Sequence, residues 1–224
     1  DAGSAILVAG ESEGWLTENG PANWTNQLAL TGFPLSDATY YTGVHSGDFF
    51  TLAGRTGAMM DGFKVDGFSE YVWLEQNEST RNWLWETIRT PELYVSVGDR
   101  GTVMTSPQGI DWTTELVPTN LLDHVLLGVG GTTNLIFAVG TAGNMIYSTN
   151  TLVDVISTNI TTDGMGMSVT NFTTNALSQM GIIWTDIPSP DANDLQGVTE
   201  KDGTFVVSGG GGTILTSTDN GANW

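Results

Sequence analysis

The chain has 224 residues, in which six Lys and Arg stand against 25 Asp and Glu, so its formal net charge is −19. So acidic a surface repels nucleic acid and anionic membranes, and we exclude both as partners. The absence of cysteine excludes a disulfide scaffold and thiol chemistry. Only 14% of the residues are charged, while Gly, Thr, Asn and Ser are abundant. We therefore expect a secreted, periplasmic or cell-surface β protein without membrane insertion.

The first predicted element is a hydrophobic run that ends in glycine, 6–10, followed by a second run, 14–17, and by a polar turn that ends in a Trp, 19–24. Runs of four to six residues bounded by Gly or Asn are typical of β-strands. The same unit recurs four more times along the chain. The glycine-ended runs of the five copies are 6–10, 49–54, 94–98, 136–140 and 205–209.

The glycines that end these runs stand at positions 10, 54, 98, 140 and 209, with separations of 44, 44, 42 and 69 residues. A period in the low forties matches one four-stranded blade of a β-propeller. No segment shows a sustained apolar period of 3.6 residues, so almost no helix is expected. The sequence therefore predicts an all-β propeller of four-stranded blades in a single domain, 1–224. Its five units are about 5–35, 36–80, 81–120, 121–190 and 191–224.

Two further strands complete each predicted blade. The innermost strands precede the glycine-ended runs, at 41–44, 84–87, 127–129 and 195–198, and the outermost strands follow the Trp, at 25–28, 74–76, 113–117 and 185–187. Small residues at Gly43, Gly128 and Gly197 suit inner strands, where blades crowd toward the axis. The first unit lacks an inner strand and the last lacks an outer one. We therefore expect a piece of a larger propeller or a blade completed by a neighbour, with an open stack of β-meanders as the alternative.

The last turn, 217–224, reads STDNGANW and matches the Asp-box pattern S/T-x-D-x-G-x-x-W at Ser217, Asp219, Gly221 and Trp224. Asp caps a tight turn by accepting backbone N–H groups, Gly accepts the left-handed conformation, and Trp buries a large ring. Earlier copies keep the Gly and the Trp, but they carry Asn19 or Pro107 at the Asp place. Their retained residues are Gly20 with Trp24, and Gly109 with Trp112.

On these motifs the chain resembles the BNR/Asp-box propellers, and most closely the photosystem II assembly factor family and its bacterial relatives. The resemblance covers nearly the whole chain, although only the last box is complete. It implies a propeller that binds protein, with the boxes as scaffold residues away from the ligand face. In that family an arginine-rich face contacts a client protein. This chain has only four arginines, so the same client is not implied.

Two functions remain open from the sequence. The first is a non-catalytic binding or assembly scaffold for a protein partner, and the second is a carbohydrate-binding or carbohydrate-active propeller, either a lectin or a glycoside hydrolase. Sialidase activity is not expected, because the Arg-Ile-Pro signature is absent and the chain has only four arginines from which the three of a carboxylate clamp would have to come. No catalytic residue is assigned, since an acidic pair could not be selected among 25 carboxylates.

Candidate binding residues lie in the turns between the second and third strands of each blade, which face the ligand side of a propeller. They are Glu11, Glu13, Arg55, Asp99 and Arg100. Arg55 and Arg100 are expected at matching places in adjacent units, where they could hold a partner's carboxylate through forked hydrogen bonds. The alternative is a pair of surface ions between blades.

Four other features are noted. The insertion 151–180 is expected to be a long polar loop that packs on a protein partner or a neighbouring subunit.

Trp83 and Trp85 are expected to be buried between blades, with stacking on sugar as the alternative. His45 and His124 are expected to be ordinary channel or loop residues, with a transition-metal site as the alternative. No cofactor is expected apart from weak surface calcium, which so acidic a chain could bind.

Overall fold

The computed structural model describes residues 6–9, 14–18, 23–26, 39–47, 49–65, 71–76, 80–162 and 168–224. These residues form five antiparallel sheets, each made of strands that are consecutive in the chain. The first sheet contains β1 (Ile6–Ala9), β2 (Gly14–Thr17) and β3 (Thr25–Asn26). The second contains β4 (Tyr40–Ser46), β5 (Phe49–Gly54), β6 (Met59–Lys64) and β7 (Tyr71–Glu75).

The third sheet contains β8 (Leu84–Arg89), β9 (Tyr94–Gly98), β10 (Val103–Ser106) and β11 (Thr113–Thr114). The fourth contains β12 (Leu126–Gly131), β13 (Leu135–Gly140), β14 (Met145–Thr162) and β15 (Ser168–Ile187). The fifth contains β16 (Leu195–Lys201), β17 (Thr204–Gly209) and β18 (Ile214–Ser217). Helical structure in the described residues is limited to 3-10 turns of three to five residues, and none is long and apolar enough to span a membrane.

The second strand of each four-stranded sheet is buried almost throughout, as in β9, where every residue is buried. A strand covered on both faces reads as a continuous hydrophobic run, whereas a half-covered strand alternates. The outer strand β7 shows that alternation, because Tyr71 and Trp73 are buried while Val72 and Leu74 are exposed. The glycine-ended runs of the sequence are therefore the strands held between neighbouring sheets.

The hydrophobic core lies between sheets rather than inside one of them. One cluster joins the third sheet to the fourth through Val95 and Val97 on one side and Ile136 and Ala138 on the other. Three further clusters join the first sheet to the second, the second to the third, and the fourth to the fifth. Face-to-face packing of successive four-stranded sheets is the arrangement of propeller blades, so the all-β propeller fold is confirmed.

The first strands of successive sheets lie side by side, in the order β4, β8, β12 and β16. Hydrogen bonds cross between them. The N–H of Thr87 donates to Thr42 Oγ1 at 2.9 Å, and the N–H of Val129 donates to Glu86 Oε2 at 2.7 Å. Burial at this contact raises the pKa of Glu86 despite that hydrogen bond. The predicted inner strands are therefore confirmed.

Glycine is required where the inner strands of the fourth and fifth sheets meet. A Cβ on Gly128 would lie 2.7 Å from the Cα of Gly197. No side chain fits at that distance, so the small residues predicted for Gly128 and Gly197 allow the two strands to approach. Gly43 differs, because a Cβ there would meet Leu52 of its own sheet at 2.7 Å.

Three predicted outer strands have different bounds, and the one predicted at 185–187 is the end of the much longer β15. Trp73 was expected in the turn before a strand at 74–76, but it lies in the middle of β7 and is 2% exposed. Its ring packs beside Phe50 and Tyr71 in the cluster between the first and second sheets, and its backbone pairs with Gly62 of β6. The strand predicted at 113–117 is shorter, since only Thr113 and Thr114 pair with β10. The extent of the domain, 1–224, stays a prediction.

The sequence suggested that the insertion 151–180 is a long loop, and this prediction is wrong. Its described residues continue β14 and β15 into a hairpin that is paired from Met145 with Ile187 to Thr162 with Ser168, with one register irregularity near Asp154. Strand β13 accompanies β14 only as far as Thr149. Beyond that point the described backbone is a two-stranded ribbon, which we call the arm, and its β-branched and Thr-rich sequence suits extended structure.

Candidate functional site

Four turns of one design join the second and third strands of the second to fifth sheets. They are Arg55–Gly57, Asp99–Gly101, Thr141–Gly143 and Gly210–Gly212. In each turn the middle residue adopts the left-handed conformation, with φ between 56° and 64°. The first N–H of each turn donates to the carbonyl just before the inner strand of its own sheet, as Arg55 does to Thr39 at 2.8 Å and Asp99 to Trp83 at 2.9 Å. All four turns therefore lie at the edge of the propeller where the inner strands begin.

The expectation that Arg55 and Arg100 occupy matching places is wrong by one residue. Arg55 is the first residue of its turn and corresponds to Asp99, whereas Arg100 is the middle residue and corresponds to Thr56. The two turns have the same length and hydrogen bonds, so the difference comes from the sequence alone. Both arginines are exposed, and they lie on the same edge of adjacent blades.

A β-bulge occurs at the same point of each inner strand, and it leaves one residue outside the ladder. In β4 the pairing passes from Tyr40 to Thr42, and in β8 it passes from Leu84 to Glu86. The unpaired residues of the four inner strands are Tyr41, Trp85, Leu127 and Gln196. Bulges redirect side chains and are frequent beside functional sites.

Two of these bulge residues form the centre of an aromatic cluster. The rings of Tyr41 and Trp85 are stacked, with centroids 5.0 Å apart and planes 9° apart, although they belong to different blades. Trp83 joins them, with centroids 5.9 Å from Tyr41 and 5.7 Å from Trp85. Tyr41 is 40% exposed, and both Trp side chains are half-buried. The expectation that the two Trp residues are buried between blades is therefore only partly right.

Charged residues of the turns fix this cluster at its margin. The guanidinium carbon of Arg55 lies 5.1 Å from the centre of the Trp83 ring, in the geometry of a cation–π contact. Trp85 Nε1 donates to Asp99 Oδ1 at 2.7 Å. Asp99 thus orients a ring, and Arg100 next to it is exposed. We call Tyr41, Trp83, Trp85, Arg55 and Arg100 the ring face.

The structure brings three of the five predicted binding residues to one place, because Arg55 and Arg100 belong to the ring face and Asp99 accepts a hydrogen bond from its Trp85. Glu11 and Glu13 lie outside the described residues. Tyr41 was missed by the sequence analysis, yet a signal for it exists. Tyr41, Trp85, Leu127 and Gln196 each stand 13 positions before the glycine that ends the following strand.

The complete Asp-box is held by hydrogen bonds within its own turn. Ser217 Oγ accepts the N–H of Gly221 at 2.9 Å, and Asp219 Oδ1 accepts the N–H of Asn223 at 3.0 Å. The hydrogen bonds from Asn223 hold the pKa of Asp219 below its usual value. A Cβ on Gly221 would lie 2.3 Å from the ring of Phe137 in the fourth sheet, so the turn packs on the preceding blade.

The incomplete boxes keep part of this arrangement. Ser106 Oγ accepts the N–H of Gly109 at 2.8 Å, and Trp112 Nε1 donates to the carbonyl of Gly109 at 2.8 Å. Serine therefore caps this turn without an Asp. Trp24 is 36% exposed beside β3, and Gly20 lies outside the described residues. The scaffold role given to the boxes stays a prediction.

Elsewhere, a cleft of about 610 Å³ lies between the turn Thr141–Gly143 and the segment 188–192. Asp186 and Asp191 line it, and it contains no Lys or Arg. Hydrogen bonds from Asn193 and Thr213 lower the pKa of Asp191, so this carboxylate is ionised and already engaged. Such a group is poorly suited to act as a general acid.

The two histidines do not belong to a metal centre in the described part of the chain. His45 is exposed on β4 beside the ring of Phe50, and His124 is half-buried. The carbonyl of His124 accepts the N–H of Gly101 at 2.8 Å, which ties the linker before β12 to the preceding turn. No three His, Cys, Asp or Glu side chains of the described residues lie close enough together to hold a metal ion.

Comparison with known proteins adds little to this geometry. No family model matches the chain, and no curated protein matches it either. Among solved structures, the chain is similar to one described as "YCF48 bound to D1 peptide". The identity is 14% and the TM-score 0.41, over 100% of this chain and 85% of that one. A likeness this distant transfers no function, so the propeller assignment depends on the sheets themselves, and membership of the Asp-box propellers stays a prediction.

Proposed function

We propose that this chain is a non-catalytic scaffold, exported or at the cell surface, that holds a partner protein on the ring face. The observation that supports this most directly is the aromatic cluster built by two adjacent blades, with Tyr41 40% exposed and Arg55 against Trp83. Trp, Tyr and Arg are the side chains most enriched at the energetic centres of protein interfaces. An exposed group of these three types has no evident role in the blade core.

The ring face is held in place before any partner arrives. Asp99 fixes the indole of Trp85, and the stacked ring of Tyr41 limits its rotation. Side chains that are already ordered lose less conformational entropy on binding, so more of the contact energy contributes to affinity. The flat rings then supply apolar contact area.

The charge of the ring face indicates the chemistry of the partner. Two of the four arginines, Arg55 and Arg100, belong to the ring face, and both are exposed. Elsewhere the chain is strongly acidic. Arginine forks bind carboxylates through paired hydrogen bonds, so a segment that combines an apolar or aromatic side chain with a carboxylate fits this surface best.

Peptide selection tests this proposal. A phage-displayed random peptide library is selected on the immobilised chain, and enriched peptides are synthesised and titrated by calorimetry. We expect enrichment of Asp or Glu beside an apolar residue. Trp85→Ala should weaken those peptides at least about tenfold, which corresponds to about 1.4 kcal/mol.

Trp24→Ala is the matched control, because Trp24 is a partly exposed Trp outside the ring face, and it should leave peptide affinity unchanged. Equal affinities for the wild type and Trp85→Ala would show that the ring face is not the binding surface.

A carbohydrate-binding propeller is the second candidate. One observation favours it, because the exposed Tyr41 ring stacked on Trp85 offers a flat apolar platform of the kind on which a sugar ring can lie. A glycan array combined with a reducing-sugar assay separates the two candidates. Binding of a defined glycan that Trp85→Ala abolishes, or turnover of a polysaccharide, would replace the protein scaffold as the function.

The arm is proposed as a second contact surface, for a protein partner or a neighbouring subunit. An isolated two-stranded hairpin is at best marginally stable in water. The hairpin of β14 and β15 continues well beyond Thr149, the last residue of β14 that pairs with β13. Contact with another chain would supply the missing support. Export and weak surface calcium binding complete the proposal, and both are supported only by the acidic, Gly- and Thr-rich composition.

A further inference from the structure

The outer edges of the described sheets differ greatly in length. The edge strands β3, β7 and β11 have two, five and two residues, whereas β15 has 20. Strand β15 pairs with β14 on one side, and no other described strand pairs with it. Natural sheets normally keep edge strands short, because a long row of free N–H and C=O groups recruits another strand. The edge of β15 is therefore the exception in this fold.

The usual protecting residues are also missing from β15 before Asp186. From Ser168 to Thr185 the chain contains no Lys, Arg, Asp, Glu or Pro. One irregularity interrupts the register, because the partners of Asp154 and Ile156 are Ser178 and Thr174. From Ser178 to Ile187 the pairing is then continuous. The uninterrupted, uncharged part of this edge is 178–185.

The sequence of that part favours pairing. Residues 178–184 read SQMGIIW, an uncharged segment without proline whose last five residues are apolar, and segments of this composition add to other strands. Its one large exposed hydrophobic residue among those with described side chains is Ile183, which is 60% exposed, while its neighbour Trp184 is 4% exposed. A β-branched residue that is exposed on an edge strand is covered when a further strand adds there.

We propose that β15 pairs antiparallel with β15 of a second copy of this chain, with 178–184 facing the same residues and Gly181 opposite Gly181. An antiparallel edge is complementary to itself about a two-fold axis, so one surface serves both partners. Two chains of charge −19 repel each other, and contact is least opposed along an uncharged edge. This inference rests on the proposal that the arm is a contact surface. It adds that the molecule bound there is a second copy of this chain.

The oligomeric state of the full chain tests this pairing first. Sedimentation equilibrium over about 1 to about 100 µM spans the range of weak protein association. We expect a concentration-dependent mass that approaches twice that of one chain. The mass of a single chain at every concentration overturns the proposal.

Charge exchange at position 181 tests the register. In Gly181→Asp the two-fold axis brings two carboxylates directly opposite each other. In Gly181→Lys it brings two ammonium groups together. Like charges directly opposite each other destabilise a pair of strands. Each variant alone should be monomeric, whereas an equal mixture should dimerise because opposite charges now face each other. Gly181→Ala, a neutral variant, should remain dimeric.

A mixture that stays monomeric while both variants show the circular dichroism spectrum and melting temperature of the wild type overturns the two-fold register. Ile183→Lys places a charge on the edge, and its dimer dissociation constant should be at least about tenfold larger than that of the wild type. Leu116→Lys is its control, since Leu116 is 91% exposed and follows the outer strand of another blade, and it should leave the dimer unchanged.

The same variants separate this inference from the ring face. Trp85→Ala should dimerise normally, and Gly181→Asp should bind the selected peptides with wild-type affinity. If the wild type binds those peptides but is a monomer throughout, the ring-face function stands and the self-pairing of β15 is wrong.

Discussion

At the scale of single residues, Asp61 shows how a blade can contain a charge-bearing group in its interior. Asp61 lies in β6, is 1% exposed and accepts a hydrogen bond from Thr51 Oγ1 at 2.8 Å. The corresponding cross-strand pair of the fourth sheet is Phe137 with Tyr147, two aromatic residues. Burial raises the pKa of Asp61 to about 7, and the hydrogen bonds from Thr51 and Gln76 only partly offset this effect.

The raised pKa predicts a stability that falls as the pH rises. Below the ordinary pKa of 3.8 both the folded and the unfolded chain hold the proton. Between that value and about 7 the unfolded state releases it while the folded state retains it. In this range each pH unit lowers the free energy of unfolding by up to about 1.4 kcal/mol, and above pH 7 the free energy of unfolding levels off.

Asp61→Asn removes this titration. From pH 4 to pH 8, the free energy of unfolding of Asp61→Asn should rise relative to the wild type by about 3 kcal/mol. Urea titrations at each pH measure the difference. Asp111→Asn, at an exposed carboxyl group of the third unit, is the control. Parallel curves for Asp61→Asn and the wild type would mean that Asp61 is ionised in the folded protein.

At the scale of the structural element, the four turns show at which positions a side chain would clash with the neighbouring blade, so that only glycine fits. Gly143 and Gly212 are both third residues of their turns, with φ of 70° and 83°. A Cβ on Gly143 would lie 2.1 Å from the carbonyl oxygen of Asp191 in the next linker, whereas Gly212 has no atom within 4 Å of that position. The two sites therefore share backbone strain and differ in inter-blade contact.

We expect Gly212→Ala to cost about 1 kcal/mol, the usual penalty of a side chain in left-handed backbone. Gly143→Ala should cost at least about 2 kcal/mol more, because backbone of the linker has to move. Chemical denaturation of both variants measures the difference. Equal costs would indicate that the linker at Asp191 moves away freely.

The same elements show what the sequence could predict. Strand-ending glycines and continuous apolar runs located the second strands, because those strands are covered on both faces. The outer strand β7 was predicted to begin three residues too late, because Trp73, which packs between the first and second sheets, looks in the sequence like the Trp that ends an Asp-box. The arm was interpreted as a loop, because it is a long polar insertion and its Asn residues are typical of turns. Tyr41 was missed because its meeting with Trp85 joins residues of different blades.

At the scale of the whole molecule, net charge is the dominant feature. A charge of −19 destabilises the compact state through its own repulsion. The melting temperature should therefore rise as NaCl increases from about 0.01 to about 0.5 M, over which the screening length falls from about 30 Å to a few ångströms. Differential scanning calorimetry measures it. A melting temperature that falls with salt would show that attractive ion pairs outweigh the repulsion.

Calcium provides the second half of this test. At equal ionic strength, CaCl₂ should raise the melting temperature further than NaCl if the chain binds calcium, because a ligand that binds the folded state alone stabilises it by mass action. MgCl₂ is the matched control for divalent charge. Identical melting curves in the three salts would exclude even weak calcium binding.

The repeated bulge determines where the sequence of such a protein can vary during evolution. Tyr41, Trp85, Leu127 and Gln196 take no part in the cross-strand ladder of their blades. Replacing one of them leaves strand register and inter-blade hydrogen bonds in place. Each of the four described blades with this bulge thus offers one position at which recognition can diversify almost independently of folding. A library restricted to these four codons would vary what the propeller binds while keeping the same scaffold.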